Sequence, residues 1–208
     1  VTVNPVSAVS ASLAISPSNL FCEGTAVTFT ATGTNGGTAP AYQWQVNGVN
    51  SGTNSPTFTT SSLVNQDKIR VIITSNQVCV SPVNATSNQI TVTVLPINVP
   101  VVSIVANPAG PVCDGTNVTL TATPVNSGST PTYQWTKNGT NIGGATSVTY
   151  TGVSGAAFVS TDIIACILTS NATPCLTGSP ATSSGLTMTV NPNLPASVSI
   201  AITSGTQV

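Results

Sequence analysis

The chain repeats itself, and that repetition restricts it to an array of equivalent folding units. Cys22-Glu23-Gly24-Thr25 returns 91 positions on as Cys113-Asp114-Gly115-Thr116. At the same offset residues 27–32 return as 118–123, Tyr42-Gln43-Trp44 as Tyr133-Gln134-Trp135, and Asn47-Gly48 as Asn138-Gly139. The offset then grows. Thr74-Ser75-Asn76 returns as Thr169-Ser170-Asn171 after 95 positions; Cys79 returns as Cys175, and Ala85-Thr86-Ser87 as Ala181-Thr182-Ser183, after 96. Five residues have entered between the Asn-Gly turns and the last matches, as expected of loop insertions. Both copies close alike, residues 90–96 matching 186–192. Residues 1–5 match that closing segment too. The predicted organisation is the end of a preceding repeat over 1–8, repeats over 9–96 and 97–192, and the first strand of a following repeat over 193–208.

Within one repeat the apolar residues recur every second position, the period of a strand. Val27, Phe29 and Ala31 fall on one face of a strand over about 26–32. Tyr42, Trp44 and Val46 do so over 41–46, and Ile69, Val71 and Ile73 over 68–74, with Lys68 and Arg70 outward. Asn47-Gly48 is a strong hairpin signal. Further strands are predicted near 10–15, 57–60 and 89–94. Gly (17) and Pro (15) punctuate the chain at short intervals, as in all-β folds. The fold class is all-β, tandem antiparallel β-sandwich repeats arranged as a rod.

Composition excludes several functions. Charged residues are 3% of the chain, against about 25% in ordinary globular proteins. The only cations are Lys68, Arg70 and Lys137, too few for a nucleic-acid footprint or a polybasic membrane patch. No apolar run reaches the roughly 18 residues of a membrane span. Histidine is absent, which removes Ser-His-Asp and Cys-His catalysis and the commonest metal ligand. The acids are Glu23, Asp67, Asp114 and Asp162, one before each of two equivalent strands per repeat. The favoured reading has each hydrogen-bonding turn backbone beside its strand; a calcium site at a junction is the sharper alternative, thin in carboxylates. Neither catalytic residues nor a cofactor or metal is expected. Tyr42, Trp44, Tyr133 and Trp135 are read as core rather than as a sugar-stacking platform.

The sequence V-T-F-T-A, a Trp on the next strand, then D-x-I-x-V-x-I resembles the B, C and F strands of immunoglobulin-like domains. Ala31 and Ala122 stand where that family has its B-strand cysteine, and Ile73 and Leu168 where it has its F-strand cysteine. The resemblance thus implies apolar packing around Trp44 and Trp135 in place of the family's buried bridge. The full set C-[ED]-G-T-x-V-T-[FL]-T-A-T, Y-Q-W-x-x-N-G and T-S-N-x(2,3)-C is similar to the low-charge, Thr-rich repeats of Bacteroidota surface proteins, including SprB-type gliding-motility adhesins exported by the type IX route. That resemblance implies an extracellular, cell-surface location.

Five cysteines in so uncharged a chain point to an oxidising compartment, and the odd number leaves at least one without a partner inside it. In an immunoglobulin-like domain strands B and F run parallel, so Cys22, before B, and Cys79, after F, lie at opposite ends. A strand of six to eight residues spans roughly 20–26 Å, whereas a disulfide needs Cα atoms about 5.5–6 Å apart. The preferred pairing is an inter-repeat staple, Cys22–Cys175, with Cys79 and Cys113 pairing to repeats beyond this chain. The alternative is one bridge inside each repeat, Cys22–Cys79 and Cys113–Cys175. Cys166 aligns with inward Val71 and is read as a buried free thiol.

The expected function is a structural stalk or adhesive region of a long secreted bacterial surface protein. Its partners would be neighbouring repeats of the same chain, with lateral self-association or surface polysaccharide besides. An accessory module of a secreted hydrolase, or a fibre subunit donating residues 1–5 as a strand, are the alternatives.

Overall fold

A computed structural model describes residues 4–200 of the chain. It divides into two compact units, Val1–Asn98 and Val99–Val208. Unit 1 contains β1 (Ser12–Ser16), β2 (Leu20–Cys22), β3 (Val27–Thr32), β4 (Ala41–Val46), β5 (Val49–Ser51), β6 (Thr57–Thr60), β7 (Lys68–Thr74), β8 (Asn84–Thr86), β9 (Ile90–Thr91) and β10 (Thr93–Leu95). One antiparallel sheet has the order β1-β3-β6; the other runs β5-β4-β7-β8, with β9 also on β7. β2 and β10 pair in parallel, Leu20 to Cys22 lying against Thr93 to Leu95. This is the two-layer arrangement of an immunoglobulin- or fibronectin-III-like sandwich.

Unit 2 repeats it. Its strands are β11 (Val101–Asn107), β12 (Val112–Cys113), β13 (Asn117–Val125), β14 (Thr132–Lys137), β15 (Thr140–Asn141), β16 (Thr149–Val153), β17 (Ile163–Thr169), β18 (Ala181–Thr182), β19 (Leu186–Thr187) and β20 (Val190–Asn191). The sheets are β11-β13-β16 and β15-β14-β17-β18 with β19 on β17, and β12 pairs β20 in parallel.

Strand period decides what fills each interior. Val27, Phe29 and Ala31 of β3 and Ile69, Val71 and Ile73 of β7 are buried around Trp44, which is fully enclosed. Val118, Leu120, Ala122, Ile164, Cys166 and Leu168 enclose Trp135 in the same way, in a separate cluster. Tyr42 and Tyr133 sit half-buried at the margins. Each Trp indole N–H donates to a carbonyl 2.9 Å away, that of Ser55 or Ser147, so neither ring carries an unsatisfied polar atom inside. The two cores keep their volume by exchange. Phe29 and Leu63 in unit 1 correspond to Leu120 and Phe158 in unit 2, so the large and small side chains swap positions. The longer segment before β17 carries Phe158 inward, where it meets Tyr150 edge-on at 5.7 Å.

The repeated motifs turn out to be turns and patches. Asn47 (φ 51°) and Gly48 (φ 82°) form the positive-φ pair of a type I′ hairpin between β4 and β5, and Asn138 and Gly139 do the same between β14 and β15. In Thr-Ser-Asn the Ser75 hydroxyl donates to Asn35 carbonyl (2.6 Å) and Asn76 Oδ1 accepts the Ala39 N–H (3.2 Å), tying the loop before β4 to the end of β7. In Ala-Thr-Ser the buried Ser87 Oγ accepts the Val71 N–H (3.0 Å), and Ser183 accepts the Cys166 N–H (3.0 Å). A hydroxyl thus replaces a ladder carbonyl where β8 gives way to β9 and β18 to β19. The Cys-x-Gly-Thr turn closes by Thr25 N–H to Cys22 carbonyl (3.0 Å) and docks on the closing strand by Glu23 N–H to Leu95 carbonyl (2.9 Å).

Three sequence expectations need correction. The first strand starts at Ser12, not 10, because Ser10 instead bonds the loop at Thr34 through both its N–H and its hydroxyl. The closing strand is two strands, because Val92 is where the chain leaves β7 for β2. Its N–H donates to Asp67 carbonyl (2.9 Å), while the next residue, Thr93, donates to Asn19 carbonyl (2.7 Å). Strands β2 and β8, three residues each, were not anticipated. Residues 193–200 form no strand. The remainder of the expected segment, 201–208, lies outside the described residues, as do residues 1–3 of the segment ascribed to a preceding repeat.

Candidate functional site

Two kinds of side chain carry chemistry in this chain: its few carboxylates and its cysteines. Asp67 ends the loop before β7 and is buried. Its Oδ2 accepts the Val64 N–H (2.9 Å) and its Oδ1 accepts Asn47 Nδ2 (2.7 Å). Asn47 returns the favour to the strand, its Oδ1 accepting the Lys68 N–H (3.0 Å). The latch fastens the β4–β5 hairpin to the start of β7. Unit 2 rebuilds it with Asp162, Val159, Asn138 and Ile163, at 2.9, 2.8 and 2.8 Å. There the Lys137 ammonium adds an ion pair at 3.7 Å. Burial alone would raise the Asp162 carboxyl, yet the Val159 and Asn138 hydrogen bonds and the Lys137 charge hold it below the ordinary carboxylate value of 3.8.

These acids therefore act as the sequence reading expected for Asp67 and Asp162. Glu23 and Asp114 differ: it is their backbone N–H groups that bond the closing strand, at the Leu95 and Asn191 carbonyls. Among the described residues no group of three or more Asp, Glu, His or Cys gathers as a metal cage. Trp44 and Trp135 are fully buried, so neither presents a face to a sugar.

The cysteines separate by environment. Cys22 and Cys175 are disulfide-bonded. Cys79 and Cys113 are exposed free thiols, and Cys166 is a buried one. The alternative of one bridge inside each repeat, Cys22–Cys79 and Cys113–Cys175, is therefore not formed. Strand geometry explains why in unit 1. Cys22 lies beside Leu95 at the closing strand, whereas the carbonyl of Cys79 accepts the Ser7 N–H at the entry end (3.0 Å). Cys166 sits on β17 opposite Trp135, and burial pushes its thiol up to about 11. A thiol so poor in thiolate is inert. In native, unreduced protein a thiol reagent should react quickly at two sites, Cys79 and Cys113, and reach Cys166 only after denaturant is added. Fast labelling of a third site in folded protein would contradict the placement of Cys166.

An open groove of about 440 Å³ on the outer face of unit 1 is lined by Asn47, Gly48, Gln66, Lys68, Arg70 and Gln89. The sequence marked Lys68 and Arg70 only as outward; their convergence with three amide side chains from separate loops needed the fold.

No family model and no curated protein matches the chain. Among solved structures it is similar to three N-terminal domains of the bacteriophage RB49 Highly Immunogenic Outer Capsid protein (Hoc), at 15% identity and a TM-score of 0.36, over 88% of this chain and 59% of that one. It is also similar to Clostridium thermocellum CbhA fibronectin(III)-like modules, at 17% identity and a TM-score of 0.33, over 86% of this chain and 92% of that one. The chain thus spans 59% of the length of the Hoc chain it matches. Disulfide-bonded Cys22 and Cys175 in such a fold are features of a secreted, extracellular protein. By the order and pairing of its own strands, the chain is two immunoglobulin- or fibronectin-III-like β-sandwich modules in tandem.

Proposed function

We propose that these modules belong to the stalk of a long bacterial cell-surface protein, serving attachment, fibre formation or gliding motility, with no catalysis of their own. One observation carries the reading: the turn and strand-end motifs that recur between the units, the cysteines apart, are consumed in holding a unit together. The Asn-Gly pairs make hairpins, the Asp–Asn latches fasten loops, Thr-Ser-Asn and Ala-Thr-Ser patch strand ends, and Cys-x-Gly-Thr docks on the closing strand. What is repeated is the fold itself, which is the economy of a spacer array. The scarcity of charge supports it as well, since edge strands lack the usual Lys guards against lateral pairing.

In such an array the oxidised Cys22 and Cys175 form a staple between consecutive repeats, and Cys79 and Cys113 meet cysteines of repeats on either side. A peptide map without reductant tests this, a Cys22–Cys175 cross-linked peptide being the expected product. The stalk reading is tested by the length and location of the whole parent protein. Many tandem copies of the Cys-[Glu/Asp]-Gly-Thr unit, removed from intact cells by added protease, are expected. A single hydrolase domain carrying only these two modules would overturn it in favour of an accessory role.

A further inference from the structure

We infer that the outer face of the β5-β4-β7-β9 sheet in unit 1 is a binding site for a carboxylate-bearing polysaccharide, with Arg70 and Lys68 as the groups that hold the carboxylate. Two of the three cations in the whole chain stand here, two residues apart on one face of β7. Neither is within ion-pair distance of a carboxylate; among the described residues the one salt bridge is Lys137–Asp162. The nearest acid in sequence, Asp67, spends its oxygens on Val64 and Asn47.

Arg70 is positioned rather than loose. Its Nε donates to Gln45 Oε1 at 2.7 Å, and Gln45 Nε2 donates to Asn50 Oδ1 at 2.9 Å. Asn50, Gln45 and Arg70 are register partners across β5, β4 and β7, so the row is a cross-strand polar ladder. Extending the pairing of Ile69 with Ile90 by one residue sets Gln89 on the other side of Arg70. The Nε contact fixes the guanidinium plane and leaves its two terminal nitrogens for a bidentate acceptor. Gln66 and Gln89 line the same groove, and no aromatic or aliphatic side chain does. Amides beside a cation suit the hydroxyls and carboxylate of an acidic sugar better than the apolar anchors of a protein partner.

Unit 2 supplies the internal control. At the equivalent positions Gln45, Gln66, Lys68, Arg70 and Gln89 become Thr136, Thr161, Ile163, Ala165 and Gly185, while the latch beneath them is kept. The copies share what folding needs and differ at this groove. The inference rests on the adhesive reading in taking a surface glycan as the ligand, but it can fail alone.

The test is binding of the full chain to oligogalacturonate, measured by calorimetry at low salt. The same oligomer with its carboxyls methyl-esterified, and poly-glutamate, serve as the comparison polymers. Oligogalacturonate should bind, weaken with added salt, and lose roughly tenfold or more in affinity with Arg70→Gln or Lys68→Gln. The esterified oligomer should not bind, and poly-glutamate should bind more weakly than the sugar. Gln45→Ala, which frees the guanidinium without removing it, should give an intermediate loss. An unchanged melting temperature in each variant separates lost contact from lost fold. No binding, binding indifferent to Arg70 and Lys68, or equal binding of poly-glutamate would each overturn the site. Binding indifferent to those two residues would still leave adhesion by another surface intact.

Discussion

Trp44→Ala should unfold unit 1 at a denaturant concentration that leaves unit 2 native. The ring is fully buried, 5.6 Å from Phe58, and shares the interior with Phe29, Val71 and Ile73. Truncating a buried Trp costs about 3–5 kcal/mol. The Ser55 carbonyl, which accepts the indole N–H, loses its partner besides. Small domains have about 5–15 kcal/mol in all, so most of the stability of one unit would go. Each unit holds one of the two tryptophans, so in this variant fluorescence reports unit 2 alone through Trp135. Under reducing conditions, urea titration should show loss of part of the far-ultraviolet circular dichroism well before the Trp135 transition, whose midpoint stays at its wild-type value. Trp44→Phe, which keeps most of the volume, should cost less. A Trp135 midpoint that falls together with the dichroism would mean that the two interiors are one cooperative body.

Asp162→Ala should cost unit 2 about 2–4 kcal/mol, more than its small size implies. The substitution strips the acceptor from the Val159 N–H and Asn138 Nδ2 and leaves the Lys137 ammonium without its ion pair. The β14–β15 hairpin then loses its fastening to β17. The same carboxylate fixes a pH dependence. Its folded value lies below the ordinary 3.8 despite burial, because hydrogen bonds and Lys137 favour the charged form. Its contribution is therefore fully present above about pH 5 and is lost as pH falls through the depressed folded value. In the Trp44→Phe background, where Trp135 is the one tryptophan, acid titration monitored by fluorescence should show this limb with Asp162 in place and a flattened one in Asp162→Asn. An acid limb of equal steepness in both would show that other groups govern it.

Much of this was legible because strands write their burial into sequence at a period of two. The inward Val27, Phe29 and Ala31, the enclosed Trp44 and the alternation of β7 follow from side-chain direction alone. So does the Asn-Gly hairpin, where positive φ restricts the residues allowed. The short strands were illegible for the complementary reason. β2 and β8 are defined by what lies beside them, Leu95 and Ile72, and not by any pattern of their own. The role of Ser87 and Ser183 was hidden likewise: a buried hydroxyl reads as a polar loop residue until the missing ladder carbonyl is seen. The latch was half visible, since Asp67 marks a turn, but its Asn47 partner lies 20 residues away. The groove was invisible, because Gln45, Gln66, Arg70 and Gln89 come from separated segments that only the sheet brings to one face.

The account stands on each repeat closing its own interior, Trp44 in one and Trp135 in the other. Separately expressed residues 4–98 and 99–200, examined by scanning calorimetry, test that most directly. Each should melt in a single cooperative transition, with the fluorescence of a fully enclosed tryptophan before it. A fragment that shows no transition and a solvent-exposed tryptophan would contradict the account.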